Sequence, residues 1–108
     1  MTPDGFQERR RHPRLQTQVP LELHYPGSSA PLRATASEIS LTGCYIETMF
    51  TLPAGTKLEM VLWVGGEKLL ANGVIATCYP QVGNGIDITE MTAEDRAKLG
   101  DFLAKSQH

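Results

Sequence analysis

The chain has 108 residues, 41% of them apolar, which is enough for one hydrophobic core and too short for a multi-domain enzyme. Ten Lys and Arg against twelve Asp and Glu give a formal charge of −2, which argues against a protein that coats long nucleic acid or a membrane by bulk charge. No apolar run approaches the ~18 residues of a membrane-spanning helix, and the polar start Met1–Glu8 carries no secretory signal. The expectation is therefore a cytoplasmic protein with its two cysteines reduced and no membrane insertion.

Positive charge is concentrated near the start. Arg9, Arg10, Arg11 and Arg14 follow a polar leader and precede the first strand-like segment. Residues 1–14 read as a flexible N-terminal arm and residues 15–105 as a single folded domain. From Val19 the pattern alternates: Val19, Leu21, Leu23 and Tyr25 face one way, Pro20, Glu22 and His24 the other, the period of a half-buried strand. Pro26-Gly27-Ser28-Ser29 ends it with turn formers. A second strand runs from about Leu32 to Ile39 and a third from about Cys44 to Thr48, separated by Ser40-Leu41-Thr42-Gly43. After the turn Leu52-Pro53-Ala54-Gly55 comes a strand rich in large apolar side chains, Lys57 to Val64. Gly65-Gly66 is a tight-hairpin signal that joins it to Glu67–Tyr79. Asn72-Gly73 inside that arm predicts a bulge, and Gly83-Asn84-Gly85 opens a last strand, Ile86 to Thr89.

The ending changes period. Thr92 reads as an N-cap, Glu94 and Asp95 suit the positive end of a helix, and Leu99, Phe102 and Leu103 recur at helical spacing. Gly100 weakens that helix by about 1 kcal/mol relative to Ala, so packing must help hold it. The fold class is thus all-β dominated: about six short strands forming a small antiparallel barrel, with one helix across it.

Common catalytic and metal motifs are missing: there is no Gly-x-x-x-x-Gly-Lys-[Ser/Thr] loop, no His-Glu-x-x-His and no Cys-x-x-Cys. His12, His24 and His108 lack metal-ligand spacing, and Cys44 and Cys78 read as buried small hydrophobes with no base beside them. Asp87 and Glu90 suit solvent-facing positions, and Glu94 and Asp95 are helix-start charges. The expectation is a protein with no catalytic residue, no metal and no enzymatic activity.

Two features remain. The first is Arg9-Arg10-Arg11-His12-Pro13-Arg14, where each guanidinium can fork onto phosphate or a guanine edge and stack on a base plane. The second is Glu38-Ile39-Ser40-Leu41-Thr42-Gly43. Strand alternation would put the Glu38 carboxylate and the Ser40 hydroxyl on one face, and Gly43 permits a tight turn or close ligand approach. A carboxylate can accept both hydrogen bonds of guanine's N1–H and N2–H₂ edge. Taken singly, each reads better as a solvated basic arm or an ordinary surface turn.

Taken together, Arg10-x-x-x-Arg14 followed by Glu38-x-Ser40-x-x-Gly43 resembles the PilZ domain family. The likeness continues through Glu8–Arg14, Val19-Pro20-Leu21, Gly43-Cys44-Tyr45-Ile46 and Val82–Ile88, and spans roughly Glu8 to Leu103. It implies a six-stranded antiparallel β-barrel with a C-terminal helix that binds the second messenger cyclic di-GMP. Such receptors signal to a downstream protein partner in motility, pilus, exopolysaccharide or virulence regulation. By the same resemblance Arg10 and Arg14 would clamp phosphates and guanine, Ser40 and Gly43 would line the pocket, and position 38 would read a guanine edge. Arg9 would contribute to a second stacked ligand molecule. Beyond that ligand no cofactor is expected, and the oligomeric state, homodimer included, is left open.

One position departs from the family, which prefers Asp or Asn where this chain has Glu38. The extra methylene moves the carboxylate outward by one bond, a misfit worth ~1–3 kcal/mol at a buried polar contact, or about one to two decades in affinity. The expected mechanism is ordering of the arginine arm over the barrel face around Glu38 and Ser40, which alters the surface shown to a partner. The main alternative is a barrel of the same fold that acts as a protein-interaction adaptor and binds no nucleotide. A single-stranded nucleic-acid binder is disfavoured by the few aromatic platforms and the net negative charge.

Overall fold

Alternating apolar residues build a wall with one wet face and one dry face, and six such walls close on themselves. The computed structural model describes residues 15–106. They form β1 (Leu15–His24), β2 (Leu32–Ile39), β3 (Gly43–Glu47), β4 (Lys57–Val64), β5 (Glu67–Tyr79), β6 (Gly83–Met91) and α1 (Ala93–Ser106). The strands pair antiparallel in the order β1-β2-β3-β6-β5-β4, and β1 returns to β4 to close the barrel. This is the six-stranded antiparallel barrel with one C-terminal helix that the sequence predicts.

The core follows the alternation. In β4, Leu58, Met60, Leu62 and Val64 are buried between exposed Lys57, Glu59 and Trp63. Val19, Leu21 and Leu23 of β1, Ile39 of β2, Ile46 of β3, Leu69 and Ile75 of β5 and Ile86 of β6 meet them inside. Each fully buried Leu or Ile contributes about 1.5–3 kcal/mol relative to an exposed one. α1 adds Leu99 and Leu103 to this core, and that packing offsets the helix cost of Gly100. Its start is capped as expected: the Thr92 hydroxyl accepts the Asp95 N–H at 3.1 Å. The Asp95 carboxylate in turn accepts the Leu70 N–H at 3.0 Å, which ties the helix to β5.

The Gly65-Gly66 hairpin forms as predicted. Val64 pairs with Glu67, and both glycines hold positive φ (57° and 83°), the conformation a two-residue type I′ loop demands. The expected irregularity at Asn72-Gly73 is present as a register shift between β5 and β6. Two expectations need correction. β6 begins at Gly83 rather than Ile86 and runs on to Met91, with Gly83, Asn84 and Gly85 already paired to Glu47, Ile46 and Tyr45 of β3. Cys44 is buried but Cys78 is only half-buried, and neither forms a disulfide.

Candidate functional site

The corner between β2 and β3 carries the Glu38-to-Gly43 segment. Glu38 is half-buried and faces Gln16 of β1 on one side and Tyr45 of β3 on the other. Both ladders slip beside it. From Glu38 to Ala36 is two residues on β2, set against three on β1 (Gln16 to Val19) and one on β3 (Tyr45 to Ile46). An extra residue bends a strand and raises its twist. As a result Ala36 and Ile39, three apart, both reach the core, which simple alternation forbids.

Beyond that slip the register from Glu38 to Ser40 stays regular: Glu38 pairs with Tyr45, Ile39 with Cys44, and the Ser40 N–H donates to the Gly43 carbonyl. β2 ends at Ile39, and Ser40, only 2% exposed, turns its hydroxyl into its own loop. The Ser40 Oγ accepts the Thr42 N–H at 3.2 Å and lies 3.3 Å from both the Gly43 carbonyl and the Thr42 Oγ1, while the Ser40 N–H donates to the Gly43 carbonyl at 2.8 Å. A serine in this position stabilises a turn by mimicking backbone partners. Gly43 is buried where β3 runs against β6: an added Cβ would stand 2.6 Å from the Ile86 carbonyl oxygen, so only glycine fits. The corner is anchored further by the Ile88 N–H, which donates to the Thr42 carbonyl at 2.9 Å. Arg96 of α1 adds a contact, its Nη1 donating to the Leu41 carbonyl at 3.3 Å.

Sequence reasoning missed two residues beside this corner. Tyr45 is half-buried, and its phenol end lies across β6 over Gly83, where any Cβ would collide with it. Thr77 of β5 lies over Gly85 in the same way. The Tyr79 ring stands 6.4 Å from that of Tyr45 at 55°, a tilted aromatic pair. Loss of hydration, then the negative charges of Glu47 and Glu38 and the neighbouring Tyr79, push the Tyr45 phenol above its ordinary pKa. The second residue is Asn84, fully buried in β6. Its Oδ1 accepts the Leu52 N–H at 2.9 Å and its Nδ2 donates to the Leu52 and Thr77 carbonyls at 2.9 and 3.2 Å. The glycines flanking Asn84 were the available signal, since a Gly-x-Gly inside a strand marks close approach of neighbours as well as a turn.

β1 begins at Leu15, opposite Ile39, so the chain that bears Arg9, Arg10 and Arg14 joins the barrel at this corner. Those three arginines themselves lie outside the described residues. Elsewhere, grooves of about 830 and 520 Å³ flank a cross-strand row of His24, Glu59, Asn72 and Glu90, and neither includes Glu38, Ser40 or Gly43. Among the described residues no three His, Cys, Asp or Glu side chains group closely enough to hold a metal, and no helix is long and apolar enough to cross a membrane. What the β2–β3 corner offers chemically is a carboxylate beside an aromatic ring.

A family model described as the PilZ domain matches residues 8–105. No curated protein sequence matches the chain. Among solved structures, the Bacillus subtilis inhibitor of motility (MotI/DgrA) is similar with a TM-score of 0.80 at 14% identity. That similarity covers 92% of this chain and 51% of the other, so the chain spans about half the length of that protein. The PilZ domain of CeSA from a cellulose-synthesizing bacterium is similar with a TM-score of 0.69 at 14% identity, over 88% of this chain and 98% of that one. At such identities the likeness is one of fold.

Proposed function

The chain belongs to the PilZ domain family, and on that premise we propose that it is a receptor for cyclic di-GMP. PilZ domains are generally cyclic di-GMP receptors in motility and exopolysaccharide regulation, and typically non-enzymatic receptor or adaptor modules. The observation that carries the reading is one of placement. The matched span holds both Arg10-x-x-x-Arg14 and Glu38-x-Ser40-x-x-Gly43, and Leu15, the residue after Arg14, pairs with Ile39, the residue after Glu38.

In this reading Arg10 and Arg14 neutralise the two phosphates and fork onto guanine, with Arg9 available to a second stacked ligand molecule. The Glu38 carboxylate accepts from a guanine edge. Ser40 holds the turn rather than the ligand, and Gly43 keeps β3 close against β6 beneath it. Binding draws the arginine segment over the corner, and the changed surface is read by a protein partner that acts on motility, pili, exopolysaccharide or virulence, in the cytoplasm where the messenger is made.

Isothermal titration with cyclic di-GMP, GTP and cyclic GMP side by side tests this. Heat is expected from cyclic di-GMP alone. Arg10→Ala and Arg14→Ala should each abolish it without moving the melting temperature, and Arg14→Lys should behave like Arg14→Ala because the fork is gone. Glu38→Asp should bind at least as tightly as the wild type. A blank with the wild type overturns the receptor reading and favours the nucleotide-free adaptor.

A further inference from the structure

Resting on the receptor reading above, we propose that Tyr45 is the stacking platform on which the guanine read by Glu38 lies. Glu38 and Tyr45 are directly paired across β2 and β3, so their side chains leave the same face of the sheet with Cβ atoms about 5 Å apart. A guanine that presents its N1–H and N2–H₂ edge to the Glu38 carboxylate extends several ångströms beyond that edge, and its plane must rest on the neighbouring strand. On β3 the neighbour is an aromatic ring.

The ring is prepared for the task. β6 carries glycine at 83 and 85, so no side chain rises there to push Tyr45 off the wall, and its phenol end lies directly over Gly83. Tyr79 supports it from the side at 6.4 Å. A tyrosine held this way by backbone and a second ring loses little conformational freedom when a base settles on it. Electrostatics orient the ligand as well. Glu38 and Glu47 make the surroundings of the phenol negative, which repels a phosphodiester and leaves the uncharged base as the part of the ligand that fits. The phosphates are thereby directed away from the two carboxylates, to the arginines that bind them in the receptor reading.

Base–aromatic stacking predicts a loss of about ten- to a hundredfold in affinity when the ring is removed. The test titrates cyclic di-GMP into wild type, Tyr45→Phe and Tyr45→Leu, and follows ¹³C-tyrosine ring resonances of the wild type to saturation. Tyr45→Phe should bind within about threefold of wild type and Tyr45→Leu about ten- to a hundredfold more weakly. The Tyr45 ring signals should move upfield under the guanine ring current, while Tyr25, beyond the far end of β1, stays put. If wild type binds but Tyr45→Leu binds equally well, or the Tyr45 signals do not move, the platform is refuted and the receptor reading stands. If wild type gives no heat, both fall. Should Tyr45→Leu fail to fold, the wild-type ring shifts decide alone.

Discussion

Asn84→Ala should cost this barrel a large part of its stability. The amide is wholly buried and makes three hydrogen bonds, and its orientation is dictated by chemistry: an N–H faces Oδ1 and two carbonyls face Nδ2. At ~0.5–1.5 kcal/mol each, three lost bonds remove about 1.5–4.5 kcal/mol. Truncation also strands the N–H and carbonyl of buried Leu52, which pushes the expected loss to about 3–5 kcal/mol unless the loop between β3 and β4 peels away to let in water. Small domains total only ~5–15 kcal/mol, so a melting temperature lower by at least ~12 °C is expected. Urea unfolding followed by far-ultraviolet circular dichroism reads the difference directly, and amide exchange at Leu52 reports whether the loop has opened. Asn84→Asp sharpens the case. A carboxylate at this position faces two carbonyl oxygens and its pKa must rise, so its stability should be greatest below about pH 4 and fall as pH climbs through the raised folded value. A loss under ~1 kcal/mol in Asn84→Ala, with Leu52 still protected, would show that the clamp is dispensable and the reasoning wrong.

Two further outcomes are expected. Gly43→Ala forces a methyl to within 2.6 Å of the Ile86 carbonyl oxygen, so β3 must separate from β6, and the variant should lose ~1–3 kcal/mol in the same urea assay. The Tyr45 phenol holds its proton more tightly in the folded barrel than in the unfolded chain. Stability from this group is therefore complete below about pH 10 and declines as pH rises through the elevated folded pKa, a slope that should shrink in Tyr45→Phe between pH 9 and 11.

Local rules made most of this fold legible. Two glycines between alternating runs can satisfy a type I′ hairpin, and the observed positive φ values at Gly65 and Gly66 are what that rule requires. The Thr92 cap and the acidic first turn of α1 depend only on neighbours in sequence, and they too were readable. Gly83-Asn84-Gly85 was misread because its reasons are tertiary. Its glycines make room for Tyr45 and Thr77, and its asparagine answers a loop thirty-two residues away. The ladder slips beside Glu38 leave no mark in composition, and the turn of the Ser40 hydroxyl into its own loop follows from contacts that a period of two does not state. The carboxylate, the turn and the glycine of the candidate site were therefore identified as residues, while their arrangement, and Tyr45, needed the folded chain.

Anyone transplanting or redesigning this barrel inherits a constraint from the start of β6. Positions 83 to 85 have no freedom of their own: two must stay bare to accommodate Tyr45 and Thr77, and the one between them must present both an acceptor and a donor inward. They travel as a set with Tyr45, Thr77 and the Leu52 loop. Saturation mutagenesis should find an intolerant island there, bordered by surface positions such as Val82 and Asp87 that accept almost any side chain.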